Sequence, residues 1–290
     1  MAIDSHIHLY PADVYHSPVA WAGPRDETYW LSCVNPSKGK SLQAWKTISE
    51  LLHDMDAGGI EKVALLAWYW EFHDSCIENF SWQLEWLKMH PDRLICFAPF
   101  NAKGGQPALD LLESAFDAGF KGIGELNPPA QGYGYDDPVL DQALQLAAQN
   151  NAAVNFHVTD PTTRDYPGKI DTPFDSLLDL ASSHLNTQFV FAHLGGCEPL
   201  RSEERIPNNV AFDTAVSPLL YKTPVYREFC DKVGIENVLF GTDYPLRIFP
   251  RDINPPNFLG PLVELRDSGL SAFEIEAITN SNPKRIFNLL

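Results

Sequence analysis

Residues 2–10 read AIDSHIHLY, an apolar run into which two histidines, His6 and His8, are set one residue apart. Side chains alternate across a β-strand, so Asp4, His6 and His8 are expected on one face and Ile3, Ile7 and Leu9 on the other. The apolar face suits a covering layer of helices. The polar face then carries two imidazoles at i and i+2, which can converge on one cation. A pair of hydrogen-bonded or exposed histidines has the same spacing, so the meaning of the stretch depends on its neighbours.

Seven more short apolar segments follow: KVALLAWY (62–69), RLICFAPF (93–100), KGIGEL (121–126), AAVNFHV (152–158), TQFVFAHL (187–194), NVAFDTAV (209–216) and NVLFGTD (237–243). The stretches between them read as helices, and strands alternating with helices imply right-handed crossovers and a parallel sheet. Eight such strands close into a barrel, so the expected fold is α/β, a single (β/α)8 TIM barrel over residues 1–290. SLQAWKTISELLHDMDAG (41–58) is expected to be a helix capped by Ser41 and ended by Gly58. The Pro-, Gly- and Trp-rich stretch from about 10 to 40 is expected to be a long first loop, of the kind that forms a lid.

Composition narrows the function. A hydrophobic fraction of 44% with 20% charged residues belongs to a globular protein with a substantial core. A formal charge of −17 argues against nucleic acid or an anionic membrane as partner, since both are polyanions. The five cysteines are scattered without C-x-x-C spacing, which points to reduced thiols rather than disulfides or a zinc ribbon. Asp4, His6 and His8 interrupt any secretory signal, so a cytoplasmic location is expected. The expected partner is a small molecule; a homo-oligomer is compatible with the sequence.

Four later strand ends repeat the chemistry of the first. His157, His193 and Asp243 each stand at the C-terminal end of their segment, and Glu125 stands at the end of KGIGEL, next to its last residue, after two glycines at alternate positions. That end is where sites on this fold are built. Each residue alone has an ordinary reading, as a satisfied core histidine or a turn cap. Together, His6, His8, Glu125, His157, His193 and Asp243 make a candidate metal site, with donors suited to zinc and compatible with manganese, iron or nickel.

The ordered motifs DSHIHLY, FHV, FAHLGG, GTDYP and NPKRIFNL resemble those of the amidohydrolase superfamily, specifically its amidohydrolase-2 branch, which also contains relatives of aminocarboxymuconate-semialdehyde decarboxylase. The resemblance implies that His6, His8 and His157 are ligands, that Asp243 is a ligand and proton shuttle, and that His193 is a second-metal ligand or a polarising group. Many two-metal members place a carboxylated lysine where this chain has Glu125. Glu125 could bridge two ions or touch one, so the reading allows one ion or two.

The activity so implied is hydrolysis of an amide, lactone or other ester of a small, possibly carboxylated substrate, by metal-activated water, with Asp243 and His193 as catalytic groups. Non-oxidative decarboxylation on the same site is the alternative. A TatD-like nuclease and a catalytically silent metal-binding or regulatory barrel are further readings. Substrate contacts are expected from aromatic and cationic residues after the strands: Trp21 and Arg25 in the first loop, Trp68, Trp70 and His73 after the second strand, and Arg164 and Arg247 later.

Overall fold

The computed structural model describes residues 2–248 and 255–289. Eight parallel strands run in sequential order: β1 (Ala2–Ile7), β2 (Ile60–Leu65), β3 (Leu94–Ala98), β4 (Gly122–Leu126), β5 (Ala153–Phe156), β6 (Gln188–Phe191), β7 (Val210–Asp213) and β8 (Val238–Leu239). The sheet closes where β8 and the residues after it meet β1. Ser5 N donates to Phe240 O at 2.7 Å, Asp243 N to His6 O at 2.8 Å and His8 N to Tyr244 O at 2.8 Å. The chain is therefore the expected (β/α)8 barrel. No helix among the described residues is long and apolar enough to cross a membrane.

Two apolar layers hold the barrel. Outside, Ile7, Val63, Ile123, Phe156 and Phe191 pack against the surrounding helices. Inside, Ile3, Ala64, Phe97, Val190, Ala211 and Leu239 fill the floor, which Ile286 and Phe287 plug from below. The alternation expected in β1 is interrupted, because a register shift falls between Asp4 and Ile7. Ile3 consequently belongs to the interior floor while Ile7 and Leu9 face outward. Asp4 is spent on structure: its carboxylate accepts from Thr242 Oγ1 at 2.6 Å and from the backbone N of His6 at 3.0 Å.

Helices interleave with the strands, with several shifts from the expected bounds. The helix expected from Ser41 runs over Ile48–Gly58; Thr47 and Glu50 form a capping box at its start, and Gly59 rather than Gly58 takes the left-handed position. Residues after β6 form a tight turn at Ala192–Gly195 and the short helix Glu198–Arg201.

The largest departure is the stretch expected to be a loop. It folds into α1 (Ala12–His16), α2 (Pro18–Ala22) and α3 (Thr28–Val34), before α4 (Ile48–Gly58). Pro18 sits at a helix start, where a missing N–H costs nothing, so it opens α2 rather than breaking it. Trp21, Trp30, Trp70, Tyr10 and Val14 make a separate apolar cluster between this cap and the barrel.

The cap also completes α5 (His73–Met89), whose own N-cap residue, Phe72, supplies no side-chain acceptor. Glu27, after α2, accepts from the backbone N of Glu71 at 3.0 Å and of Phe72 at 3.2 Å. A carboxylate is well placed at a helix N-terminus. Even so, burial, aided by the neighbouring charge of Glu71, pushes Glu27 up to about 7 against an ordinary value of 4.5, and the hydrogen bonds only partly offset it. A folded-state pKa above the unfolded one gives stability that is full below 4.5 and lost as pH rises through about 7. Replacing Glu27 by Gln should remove that loss. The Tm of Glu27→Gln relative to wild type is expected to climb between pH 4.5 and 7 and then level off; parallel Tm curves would refute this.

Candidate metal centre

Barrel closure brings the first strand and the segment after the last one together at the mouth. His6 comes from β1, His8 from the residue just past it and Asp243 from the segment after β8, and the backbone bond from Asp243 N to His6 O fixes their register. Their ligand atoms converge: His6 Nε2 to His8 Nε2 is 3.3 Å, His8 Nε2 to Asp243 Oδ1 3.7 Å, and His6 Nε2 to Asp243 Oδ1 3.9 Å.

A second trio lies beside the first. Glu125 Oε1 is 2.9 Å from His157 Nδ1 and 3.5 Å from His193 Nε2, and these two nitrogens are 3.2 Å apart. The other oxygen of the same carboxylate, Oε2, faces the first trio at 3.5 Å from His8 Nε2 and 3.9 Å from His6 Nε2. Glu125 thus stands between the two groups with one oxygen turned to each.

Local backbone explains how Glu125 and His193 arrive there. Gly124 has φ +118°, and a Cβ on it would lie 2.4 Å from Asn155 O, so the strand turns its glutamate inward only because residue 124 has no side chain. At the end of β6, His193 through Cys197 all have left-handed backbone, with φ between 54° and 60°. Such geometry costs about 1–2 kcal/mol for each non-glycine residue, so it must be held. The backbone N of His193 donates to Asp213 Oδ1 at 3.1 Å, and Gly196 passes so close to the loop after β5 that a Cβ would meet Thr159 O at 2.8 Å.

The remaining ring nitrogens are fastened from behind. His6 Nδ1 lies 2.9 Å from Asp213 Oδ2, His193 Nδ1 3.2 Å from Ala215 O, and His157 Nε2 3.2 Å from Thr159 Oγ1. His8 Nδ1 is buried without a partner. Oriented imidazoles of this kind leave their other nitrogen free as a ligand.

Electrostatics favour a cation. Burial opposes charge on His6, but Asp213, Glu125 and Asp243 outweigh it and push the imidazole up to about 10. Burial would likewise raise Glu125, yet His157 and His6 hold it well below the usual carboxylate range. Asp213, opposed by burial, is lowered by His6. Buried carboxylates kept ionised need compensating positive charge. The donor set fits a divalent ion: bonds of about 2.0–2.2 Å in tetrahedral geometry need ligand atoms roughly 3.3–3.6 Å apart, close to the spacings here.

Above the cluster is a cavity of about 280 Å³, lined by Trp68, Tyr69, Leu42, Tyr166, Leu220 and Lys40 among others. Trp68 and Tyr69 stack at 4.2 Å between centroids, and Trp68 meets the His8 ring edge-on at 5.7 Å.

Of the substrate contacts expected from sequence, only Trp68 lines this cavity. Trp21 and Trp70 are buried in the cap cluster, where Trp70 Nε1 donates to Asn79 Oδ1 at 2.8 Å. Arg25 pairs with Glu78 at 2.9 Å and lies over the Trp21 ring. His73 opens α5 beside a separate small cleft with Lys103. Arg164 is exposed, and Arg247 binds Gln43 O at 3.2 Å, pinning the segment after α3 to the β8 loop. Trp21, Trp70, Arg25 and Arg247 are thus each drawn to a nearer partner.

Asp213 joins the site as well: NVAFDTAV places it at a strand end like His193 and Asp243, and that position is the signal that marks it. Lys40, Leu42 and Tyr166 reach the cavity from irregular segments that carry no periodic signal.

Solved structures share this architecture. The 5-carboxyvanillate decarboxylase of Sphingomonas paucimobilis matches with TM-score 0.75 at 16% identity, covering 99% of this chain and 98% of that one. A dihydroxybenzoic acid decarboxylase from a Polaromonas species, solved with manganese and the inhibitor 2-nitroresorcinol, matches with TM-score 0.71 at 15% identity, covering 99% and 97%. The 4-oxalomesaconate hydratase of Rhodopseudomonas palustris matches with TM-score 0.69 at 20% identity, covering 99% and 96%. No curated protein matches the chain by sequence. The Amidohydrolase family profile (Amidohydro_2) matches residues 3–289, and a match over nearly the whole barrel places this chain in the amidohydrolase family.

Proposed function

We propose that the protein is a metal-dependent, non-oxidative decarboxylase of an aromatic or enolic carboxylate. The observation that carries this reading is the position of an apolar, aromatic-walled cavity directly over the imidazole and carboxylate cluster. Stacked Trp68 and Tyr69 offer a flat surface to a planar ring, and a volume of about 280 Å³ suits a single substituted ring. The decarboxylases of similar fold, one of them solved with manganese, support the same direction.

His6, His8 and Asp243, with Glu125, would hold the first ion; His157 and His193, with the other oxygen of Glu125, would hold a second. A divalent ion there supplies Lewis acidity, either stabilising charge that builds as a carboxylate is lost or lowering the pKa of water. Manganese or zinc fits the mixed nitrogen and oxygen donors. The chain's own groups do the rest. Trp68 and Tyr69 orient the ring, and the apolar walls exclude water from the carbon that loses carbon dioxide. Asp243 first takes the proton of the substrate's phenolic or enolic hydroxyl. As the C–C bond breaks and carbon dioxide leaves, the electron pair stays on that carbon, which receives this proton from Asp243, and the oxygen regains one from solvent.

Hydrolysis is the second reading, and Glu125 favours it. A carboxylate shared between two trios is the arrangement expected of a two-ion site that activates water.

Three measurements test these assignments. Elemental analysis after reconstitution with manganese or zinc should give two equivalents, and Glu125→Ala should lose both, whereas one equivalent left unchanged by that substitution would refute the bridging role. A panel of hydroxybenzoates and enolic acids should release carbon dioxide without incorporating oxygen from labelled water; label in the product, with no carbon dioxide, would establish hydrolysis instead. Asp243→Asn should abolish turnover, and Trp68→Ala should raise KM about three- to tenfold while leaving kcat less affected.

A further inference from the structure

We infer that Asp213 is a positioning residue that fixes which nitrogen His6 turns to the first trio and, with the same carboxylate, holds His193 in the second. The inference rests on the metal reading above. Asp213 ends β7, a strand that supplies none of the six candidate ligands, and it is fully buried. Its oxygens divide the work. Oδ2 lies 2.9 Å from His6 Nδ1 and 3.1 Å from Asn155 Nδ2, while Oδ1 accepts from the backbone N of His193 and of Ala215, each at 3.1 Å.

An ionised carboxylate only accepts, so all four neighbours must donate. His6 therefore keeps its proton on Nδ1, and Nε2, 3.3 Å from His8 Nε2 and turned to Asp243, is the nitrogen it can free for an ion. The same residue restrains the left-handed turn that carries His193, through that residue's backbone N–H rather than its ring. One side chain thus ties β1, β5, β6 and β7 to the two trios.

Asparagine at this position separates tautomer control from packing. The backbone N–H groups of His193 and Ala215 would claim its oxygen, leaving its NH₂ against His6 Nδ1. Asn155, whose Oδ1 has no partner, can turn to accept the other amide proton. His6 would then accept on Nδ1 and carry its proton on Nε2, where it could not ligate.

The test uses full-length wild type and Asp213→Asn, stripped with chelator and titrated with Zn²⁺ alone. Long-range ¹H–¹⁵N correlation of the histidine rings is recorded in the zinc-loaded state. Wild type is expected to show His6 protonated on Nδ1 and ligated through Nε2. Asp213→Asn should weaken the His6–His8–Asp243 step at least about tenfold, spare the Glu125–His157–His193 step, and move the His6 proton to Nε2. Unchanged zinc affinity in the variant, or equal weakening of both steps with a lowered Tm, would overturn the inference, the latter by showing a merely structural role. So would a wild-type His6 protonated on Nε2, a result independent of whether the variant folds. A wild-type titration that stops at one equivalent would overturn the two-ion reading alone, with the shift in that equivalent still deciding Asp213; absence of carbon dioxide release would overturn the decarboxylase reading and leave the zinc result standing.

Discussion

The site depends on the seam between β1 and β8. His6 belongs to the first strand and Asp243 to the segment after the last, and the backbone bond from Asp243 N to His6 O brings them into one register only when the sheet closes. A slip of one residue would turn His6 and His8 out of the mouth, because side-chain direction along a strand has a period of two. The apolar floor around Ile3, Phe97 and Phe287 backs this seam from below, so the packing that stabilises the barrel also sets the spacing of the first trio.

The strand-borne part of this arrangement is legible in the sequence because it obeys a simple geometry. Apolar segments alternate with helices, and His6, His8, Glu125, His157, His193 and Asp243 occur at strand ends, which the fold then gathers. Strict alternation nevertheless fails in β1, where the register shift after Asp4 sends Ile3 inward and commits the Asp4 carboxylate to Thr242. A bulge is a matter of pairing between strands and leaves no mark on residue type. Asp213 shows the opposite case, a strand-end carboxylate visible in NVAFDTAV whose role emerges only from the four donors around it.

Residues outside the strands are harder to read because their partners are set by tertiary proximity. Trp21, Trp30 and Trp70 look like walls of a binding site, but burying three indoles against one another removes much more apolar surface from water than exposing them at a mouth. Arg25 and Arg247 are likewise drawn to Glu78 and to the backbone of Gln43. The cap consequently has its own small core, and it touches the cavity through the end of α3, where Cys33 and Val34 contribute to the lining, and through the segment that follows, which adds Lys40, Leu42 and Gln43.

This division has an electrostatic consequence for any acidic substrate. The cavity floor carries the carboxylates of Glu125 and Asp243, with Asp213 just behind His6, and the chain as a whole bears a formal charge of −17. Among the described lining residues, Lys40 is the one lysine or arginine, and it is exposed on the segment after α3, whereas the carboxylates lie at the buried end. An anion entering this space is repelled where the chemistry must occur, and repulsion is strong at a buried site because little solvent intervenes to screen it. Positive charge on the cluster must therefore precede the anion. The same buried carboxylates that draw a cation to the strand ends make acidic-substrate binding conditional on that cation, which couples loading of the site to recognition without requiring an arginine in the wall.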